Sequence, residues 1–429
     1  MDNENQVIID LKSKTTEETH KNKIIISNKK FYFFISMIFL VFLGIIYFIY
    51  INKKELTIKI QNNQIKNNLV LNETITKIIN LENKINLLEN KTDNLTKKFN
   101  ESINPINNNK NTSTADLSEI SFEKFDENIL QQINSQQMEF CNNKNKYIKE
   151  EYEKHIKLVN VDFLGKKFDM YVYTNEDIVS ISISSSKSWE AKDTKTLINI
   201  LNYYSSLKNI TRDNIYILDI GSNVGWYTLF LAKFGYKILA FEPSDVNMYM
   251  IRKSFCLNQD LNITLIKKGL YTEEKQCDFY ISKGNIGDGW IFCNKNSSEI
   301  PSHLIKSGET YLTKLSNCIE FLSANNLALI KIDVEGSEGK AIESGIELFS
   351  KYHIPFIFLE FSPGPLVQHG TEPIKLLEIF ENNGYKFAKD NFLDTNYYSK
   401  SEILERAKGG YINLFIIHSN IINITVIKK

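Results

Sequence analysis

The sequence has no net charge and little cysteine or proline, and these shortages narrow the classes of protein it can encode. Its 429 residues include 51 basic and 51 acidic side chains, so the formal net charge is zero. A nucleic-acid-binding protein usually carries a basic field, and we therefore predict no nucleic-acid partner. Proline is scarce while Asn, Lys and Ile are heavily used, which indicates drift toward AT-rich codons. Asn-rich and Lys-rich runs are accordingly not taken as functional signals.

The cysteines are too few and too scattered for a metal site or a disulfide framework. There are five of them: Cys141, Cys256, Cys277, Cys293 and Cys318. None forms a C-x-x-C pair, which argues against a structural zinc site. An odd, sparse set is more typical of isolated small core residues. We predict that state, with a single Cys277–Cys293 bridge as the alternative.

Long uncharged runs are also rare, and the one near the N-terminus predicts a membrane anchor. Residues 31–51 contain no charged side chain, and at about 1.5 Å rise per residue a helix of that length spans roughly 31 Å, one hydrocarbon core. Aromatic side chains crowd both ends of the run, as at a membrane interface. Lysines follow it where a signal peptide would have small residues. We predict a disordered tail at 1–30 and a transmembrane helix at 31–51, with a buried soluble helix as the alternative.

The flanking sequence favours an orientation with the body in the lumen. Slightly more lysines precede the run than follow it, which predicts a cytosolic N-terminus, a type II single-pass protein and a catalytic domain in the Golgi or endoplasmic reticulum. Asn-x-Ser/Thr sequons after the run also suit a glycosylated, lumenal body. They begin at Asn72, Asn90, Asn94, Asn100, Asn111, Asn209, Asn262, Asn296 and Asn423.

A heptad pattern predicts that a stem joins like chains. Residues 52–103 form the predicted coiled-coil stem. In it Leu71, Ile78 and Ile85 repeat every seven residues, Leu81, Leu88 and Leu95 form a second such series, and Thr74 and Thr92 interrupt the pattern. The apolar stripe of this helix is too narrow to pack on a globular core. We therefore expect it to associate with the same stripe of other chains and form a homo-oligomer. Residues 104–135 are interpreted as a linker.

The folded body is predicted to occupy residues 136–429. Alternating apolar and polar residues predict strands at Val159–Tyr173 and Ile178–Ser184, and a helix is expected from Trp189-Glu190. Short apolar strands then alternate with helical stretches, which is typical of an α/β fold with a doubly wound, mostly parallel sheet. These strands are Ile215–Ile220, Lys237–Phe241, Ile263–Lys267, Leu327–Ile332, Phe356–Phe361 and, as an antiparallel edge, Ile412–His418.

Two motifs at strand ends indicate a nucleotide-like cofactor. The first predicted strand of the sheet runs into the turn Asp219-Ile220-Gly221-Ser222-Asn223-Val224-Gly225, where Gly221 and Gly225 let a ligand approach the backbone. The second strand ends in Glu242-Pro243, and an acid at that point is placed to accept hydrogen bonds from ribose hydroxyls. We therefore predict cofactor contacts at Asp219, Gly221, Asn223, Gly225, Glu242 and Pro243.

The spacing of the first turn separates two cofactor classes. It lacks the G-x-G-x-x-G pattern that places a pyrophosphate on a helix N-terminus. Asp219 and Asn223 instead suit a cofactor with an amino-acid end, which favours S-adenosylmethionine. A nicotinamide-dependent oxidoreductase remains the alternative.

Together these blocks resemble the FkbM family of methyltransferases. The carrying segments are Leu218–Thr228, Phe241-Glu242-Pro243 and Lys331-Ile332-Asp333-Val334-Glu335-Gly336-Ser337-Glu338. The resemblance covers about Val159 to Ile417. It implies a class I methyltransferase fold, which in this chain would follow the predicted anchor and stem. It also implies S-adenosylmethionine as the cofactor and O-methylation as the reaction, often of hydroxyl groups on sugars or polyketides. One departure is Leu315-Ser316-Asn317, where the family usually has Leu-Asp-Asp.

Three residues are candidates for catalysis. Asp333 and Glu335 follow the strand Leu327–Ile332 at the same sheet edge as Gly221, and either can act as the base that takes the hydroxyl proton. Asp333 is also a candidate for the methionine end of the cofactor. His369, just past the next strand, is the third candidate. Two carboxylates are too few for a predicted metal site. The acceptor is expected to be a hydroxylated molecule such as a glycan; a catalytically silent, membrane-tethered coiled-coil protein is the remaining alternative.

Overall fold

The computed structural model describes residues 6–10, 23–27, 120, 122–175 and 177–422. The chain divides into two compact units, Met1–Asn111 and Thr112–Lys429. In the first unit, β1 (Gln6–Asp10) pairs antiparallel with β2 (Lys23–Ser27). These strands lie within the predicted disordered tail. The predicted transmembrane helix at 31–51 and the predicted stem at 52–103 lie outside the described residues. None of the helices within the described ranges combines the length and apolarity needed to cross a membrane.

The second unit is built on a seven-stranded mixed sheet. Its spatial order is β14-β15-β13-β12-β5-β6-β7, and the five strands from β13 to β7 are parallel. These strands are β5 (Tyr216–Ile220), β6 (Lys237–Phe241), β7 (Ile263–Ile266), β12 (Leu327–Ile332), β13 (Phe356–Phe361), β14 (Tyr385–Ala388) and β15 (Ile412–His418).

The predicted sheet strands are confirmed to within a residue at each end, because their apolar runs are buried on both faces. In β5, Ile217 packs into one apolar cluster while Leu218 and Ile220 pack into another on the opposite face. Helices cover both clusters, so the sheet is doubly wound as predicted. Only the position of β15 differs, since it lies between β13 and β14 and the edge strand is β14.

The helices alternate with the strands along the chain. They are α1 (Glu127–Asn142), α2 (Glu150–Glu153), α3 (Ile178–Ser186), α4 (Ala191–Lys208), α5 (Trp226–Lys233), α6 (Asp245–Leu257), α7 (Ile319–Ala324), α8 (Glu338–Glu343), α9 (Glu347–Ser350), α10 (Pro363–Gln368), α11 (Pro373–Asn382) and α12 (Lys400–Arg406). Short 3₁₀ helices occupy Lys144–Tyr147, Arg212–Asn214, Ser297–Glu299 and Leu315–Cys318.

Two smaller sheets complete the body. The hairpin β3 (Ile156–Phe163) and β4 (Lys166–Tyr173) precedes the main sheet. An accessory sheet, in the order β10-β9-β11-β8, is inserted between β7 and β12. Its strands are β8 (Gly269–Leu270), β9 (Lys275–Ser282), β10 (Asn285–Phe292) and β11 (Leu304–Thr313).

The strand prediction is confirmed for Val159–Tyr173 and is wrong for Ile178–Ser184. The first segment turns back on itself to form β3 and β4, and the second is helix α3. Asp177 begins this helix, because its carboxylate accepts a hydrogen bond from the Ser180 N–H at 2.6 Å. The hydroxyl of Ser180 in turn accepts from the N–H of Tyr173 at 3.0 Å. Local capping and docking on β4 thus override the alternating pattern.

The predicted linker at 104–135 also ends too late. Helix α1 begins at Glu127, capped by Asp126, and Phe122 and Phe125 are buried in the core before it. The Phe125 N–H donates to the carbonyl of Asn317 at 2.8 Å, and the Asn317 side chain donates to the carbonyl of Phe122. The folded body therefore begins before residue 136, and the atypical Leu315-Ser316-Asn317 block holds its first segment.

Four of the five cysteines are paired, which corrects the expectation of isolated core cysteines. Cys141 of α1 is bonded to Cys256 of α6, and Cys277 is bonded to Cys293 in the accessory sheet. The Cα–Cα distances are 5.2 and 4.8 Å, within the range of ordinary disulfides. Only Cys318 is free, and it is buried.

Candidate active site

Gly221 shapes the turn at the carboxyl end of β5. Its φ is +79°, and a Cβ at this position would overlap the carbonyl oxygen of Asp333 and press on the side chain of Val334. The two strand ends, after β5 and after β12, therefore approach each other backbone to backbone. Only glycine combines this φ with this space. Gly225, with φ +89°, begins α5 and packs against Ile251, so it shapes the turn without lining the cavity described below.

Asp219 supports the turn from beneath and does not line either cavity at the site. It is fully buried, and its carboxylate accepts a hydrogen bond from Thr228 at 2.5 Å. The ammonium of Lys331 lies 3.7 Å from Asp219 and 3.3 Å from Asp333, and it donates to the Gly221 carbonyl at 2.6 Å. Burial alone would lower the pKa of Lys331, but the neighbouring carboxylates outweigh it and raise the pKa. Lys331 thus ties the cofactor turn to Asp333.

Glu242 organises the second cofactor motif. One carboxylate oxygen accepts from the Asn223 N–H at 2.7 Å, and the other accepts from the Ser244 N–H at 2.9 Å and from the amide of Asn247 at 3.3 Å. Burial raises the pKa of Glu242 to about 7, against the effect of these donors. The oxygen that accepts from Asn223 keeps a free lone pair for a ligand hydroxyl. Pro243 follows at the same cavity wall.

The loop after β12 carries the catalytic candidates in a strained backbone. Glu335 has φ +52°, which is uncommon for a residue other than glycine or asparagine. Glu338 holds the loop, because its carboxylate accepts from the N–H groups of Val334 at 3.0 Å and Gly336 at 3.2 Å. The loop conformation therefore depends on a buried acid outside the reacting centre.

Three carboxylates converge beside this loop. Oxygen atoms of Asp333, Glu335 and Glu360 lie within 4.8 Å of one another. Such a set can hold a hard divalent cation, so the structure supplies the third carboxylate that the sequence did not indicate. Burial, and then the charge of Asp333, raise the pKa of Glu335 well above its usual range and that of Glu360 to about 10. The two glutamates are thus poised to hold protons.

Two cavities meet at these carboxylates. The first, of about 560 Å³ and partly open to solvent, is lined by Gly221, Glu242 and Pro243; we call it the cofactor cavity. The second, of about 930 Å³, is lined by Glu360 and aromatic side chains; we call it the acceptor cavity. Four residues line both: Asn223, Asp288, Asp333 and Glu335. Their shared wall is where a group can pass from one ligand to the other.

The cofactor cavity fits a ligand with an amino-acid end. The glycine cradle at Gly221 leaves room that a Cβ would fill. The side-chain oxygen of Asn223 is buried without a hydrogen-bond partner among the described residues, so it is free to accept from a ligand ammonium group.

His369 does not line either cavity. Its ring stacks on Phe292 with centroids 4.8 Å apart, and one ring nitrogen lies 3.3 Å from the Ser337 hydroxyl. Burial lowers the pKa of His369 to about 4, so the ring is neutral near pH 7 and a weak base. The geometry does not support the predicted catalytic role, because the accessory sheet occupies the side of the loop that His369 faces.

Several cavity residues were not among the predicted site residues. Asp288 comes from the accessory sheet and lines both cavities. The others come from four separate elements or loops: Trp189, Asn247, Glu360 and Tyr411. Glu360 ends β13 at the same sheet edge as Gly221, so its position along the strand was the signal that could have identified it. No comparable pattern marks Tyr411.

Comparison with known proteins identifies the domain. Residues 219–387 match the family model described as a methyltransferase FkbM domain. This segment of the chain is therefore similar to an FkbM methyltransferase domain. The matched segment includes every predicted site residue and ends within β14. No curated protein matches the chain.

The solved structures similar to this chain are distant methyltransferases. The bifunctional kinase-methyltransferase WbdD has a TM-score of 0.31 and 11% identity over 55% of this chain and 41% of its own. The Thermus thermophilus 16S rRNA N2 G1207 methyltransferase has a TM-score of 0.29 and 12% identity over 62% and 51%. Magnesium protoporphyrin IX methyltransferase from Synechocystis has a TM-score of 0.27 and 11% identity, over 56% of this chain and 87% of its own. The match thus spans about two fifths to half of the first two proteins.

We expect Glu242→Ala to weaken S-adenosylmethionine binding roughly ten- to a hundredfold, since a hydrogen bond to a charged group contributes about 1.5–3 kcal/mol. Titration calorimetry on the full-length protein measures it. Glu242→Gln keeps an acceptor oxygen, so its affinity for S-adenosylmethionine should fall less than that of Glu242→Ala. Exposed Glu343→Ala is the control for a general effect of removing an acid. Unchanged affinity in Glu242→Ala would contradict the assignment of Glu242 to the cofactor.

Proposed function

We propose that the protein methylates a hydroxyl group of a glycan or a similar hydroxylated acceptor. The observation that carries this proposal is the shared wall of the two cavities, where Asp333 and Glu335 stand between the cofactor turn and a second, wider cavity. A ligand in the acceptor cavity can therefore reach a methyl group presented from the cofactor cavity. Positioning of the two reactants is a main source of rate in such a displacement.

The carboxylates supply what hydroxyl methylation needs from the protein. Bound at Gly221, Asn223 and Glu242, S-adenosylmethionine would supply an electrophilic sulfonium methyl group for the acceptor oxygen, and its sulfur would leave as a neutral thioether. The hydroxyl proton passes to the ionised form of Glu335, because the raised pKa makes that form a stronger base and confines it to higher pH. Lys331 holds Asp333 and the Gly221 carbonyl in place during this step. Glu335 then releases the proton to solvent.

Radiolabelled methyl transfer tests the reaction. Purified full-length protein with S-adenosylmethionine labelled in the methyl group should place alkali-stable label in a membrane glycan extract, because ethers resist the hydrolysis that cleaves methyl esters. Alkali-labile label would instead indicate transfer to carboxylates. Nicotinamide reduction without label would restore the oxidoreductase alternative, and cofactor binding without any transfer would support the silent tether.

We also propose that the catalytic body faces an oxidising lumen on a type II membrane anchor, with chains joined through the stem. The two disulfides support the compartment, since such bonds persist in secretory compartments and are rare in the cytosol. Three sequon asparagines, at positions 209, 262 and 296, have exposed side chains on the body. The uncharged run at 31–51 and the heptads at 52–103 support the anchor and the association.

Glycosidase treatment tests the compartment. Expressed in cells with a glycosylating secretory pathway, the full-length protein should gain mobility on peptide:N-glycosidase digestion. Each of Asn209→Gln, Asn262→Gln and Asn296→Gln should remove one glycan's worth of mass. A protein unaffected by the glycosidase, with its body digested by protease added to intact microsomes, would contradict the lumenal orientation.

A further inference from the structure

The acceptor cavity has an apolar wall formed by separate parts of the chain. Trp189 precedes α4, Tyr411 precedes β15, and Ile178 begins α3; all three line the cavity. Tyr411 is 56% exposed and Ile178 is 59% exposed. Exposed apolar side chains gathered at the mouth of a cavity mark a ligand site. This wall therefore needs a ligand with an apolar face.

The floor of the cavity is acidic, unlike the apolar wall, and this disfavours a negatively charged ligand. Four carboxylic residues line the cavity: Asp288, Asp333, Glu335 and Glu360. Burial raises the pKa of the two glutamates, so near neutral pH the negative charge of the cavity is carried by Asp288 and Asp333. Among the described lining residues Lys331 is the only cation, and its ammonium is already engaged by the Gly221 carbonyl at 2.6 Å and by Asp333 at 3.3 Å. An anionic acceptor would meet like charges and no available cation.

Resting on the proposed O-methylation, we propose that the acceptor cavity selects an uncharged sugar ring and rejects anionic sugars. The C–H face of the ring packs against Trp189 and Tyr411, and its hydroxyls donate to the carboxylates beside the shared wall. Ionised carboxylates accept hydrogen bonds only, so hydroxyl donors complement them. The aromatic faces of Trp189 and Tyr411 provide an apolar surface for the C–H groups of the sugar.

The selection against anionic sugars is tested with acceptors that have been separated by their charge. A membrane glycan extract is divided by anion exchange into a neutral pool and an acidic pool, and each is incubated at matched sugar concentration with full-length protein and methyl-labelled S-adenosylmethionine. The neutral pool should take at least tenfold more label. Equal or greater labelling of the acidic pool would overturn the selection while leaving the proposed function intact. No label in either pool, with cofactor binding retained, would overturn the glycan acceptor and this proposal together.

A charge added to the wall provides a gain-of-function test. Ser362 lines the acceptor cavity outside the carboxylate group. Ser362→Lys should raise labelling of the acidic pool at least threefold relative to the neutral pool. Ser362→Gln, of similar length and without charge, should keep the wild-type ratio. The same ratio in both variants would show that the carboxylate field does not decide acceptor charge.

The apolar wall is tested separately. Tyr411→Ala should raise KM for the neutral pool about tenfold while S-adenosylmethionine affinity stays unchanged, because Tyr411 lines the acceptor cavity and not the cofactor cavity. Tyr352→Ala removes another exposed tyrosine, outside both cavities, and should change neither value. An unchanged KM in Tyr411→Ala would remove the stacking wall from the proposal.

A divalent cation is the competing occupant of the three carboxylates. Transfer to the neutral pool should be unaffected by EDTA. Loss of transfer in EDTA with recovery in Mg²⁺ or Mn²⁺ would overturn the charge argument, since a bound cation would cancel the negative field that excludes anions.

Discussion

Replacing Gly221 with alanine is expected to abolish cofactor binding. The added methyl would overlap the carbonyl oxygen of Asp333, and the backbone φ of +79° is strained for any L side chain. Both strand ends must shift to relieve the overlap, which displaces Asn223 and Asp333 together. We expect affinity for S-adenosylmethionine to fall more than a hundredfold by calorimetry, with a lower melting temperature.

Gly284 offers a matched control for this change. Its φ is +80°, nearly the same as that of Gly221, but no atom lies within 4 Å of the position that an added Cβ would take. Gly284→Ala therefore carries the same backbone strain without the overlap, and it should keep cofactor affinity. Equal losses in the two variants would attribute the effect to strain and would contradict the close approach of the strand ends.

Glu335→Gln should lower kcat by about 10²- to 10⁴-fold, the usual contribution of a general base. Affinity for S-adenosylmethionine should change little, because the amide keeps the shape of the side chain and the cofactor cavity retains Gly221 and Glu242. Single-turnover transfer of labelled methyl separates the chemical step from binding. Exposed Glu343→Gln is the control, and full turnover in Glu335→Gln would remove Glu335 as the base.

The pH profile gives a second measure of the same residue. Burial and neighbouring carboxylates raise the pKa of Glu335, so it stays protonated, and inactive as a base, to a higher pH than an ordinary glutamate. Activity should therefore rise with pH through a midpoint above the usual carboxyl range of about 4. Asp288→Asn removes one of those like charges and should move the midpoint to lower pH. A midpoint that stays in place would contradict this electrostatic coupling.

Much of the fold was predictable because its strands are fully buried. β6, β12, β13 and β15 were predicted with their observed bounds, since a strand covered on both faces reads as a continuous apolar run. Helix α3 was not, because its Ile and Ser residues alternate as in a half-buried strand. Its capping by Asp177 and its contact with Tyr173 decide the helix, and neither is visible in the periodicity.

The sequence by itself brought most of the predicted cofactor residues to one cavity, whereas Asp219 and Gly225 do not line it. Gly221, Asn223, Glu242 and Asp333 lie at ends of adjacent parallel strands, and the carboxyl ends of such strands meet at one edge, so linear motifs suffice to bring these residues together. The same reasoning also predicted a catalytic role for His369, which lines neither cavity. Strand order does not reveal which side of a loop is covered by another sheet.

Only the tertiary structure decided the acceptor half. Trp189, Asp288, Glu360 and Tyr411 come from segments far apart in the chain, and their meeting depends on how α4, the accessory sheet and β15 pack around the main sheet. The pairing of Cys141 with Cys256 was undetermined for the same reason, since these residues are 115 positions apart and become neighbours only when α1 docks on α6. Contacts between distant segments depend on packing geometry, which local patterns along the chain do not record.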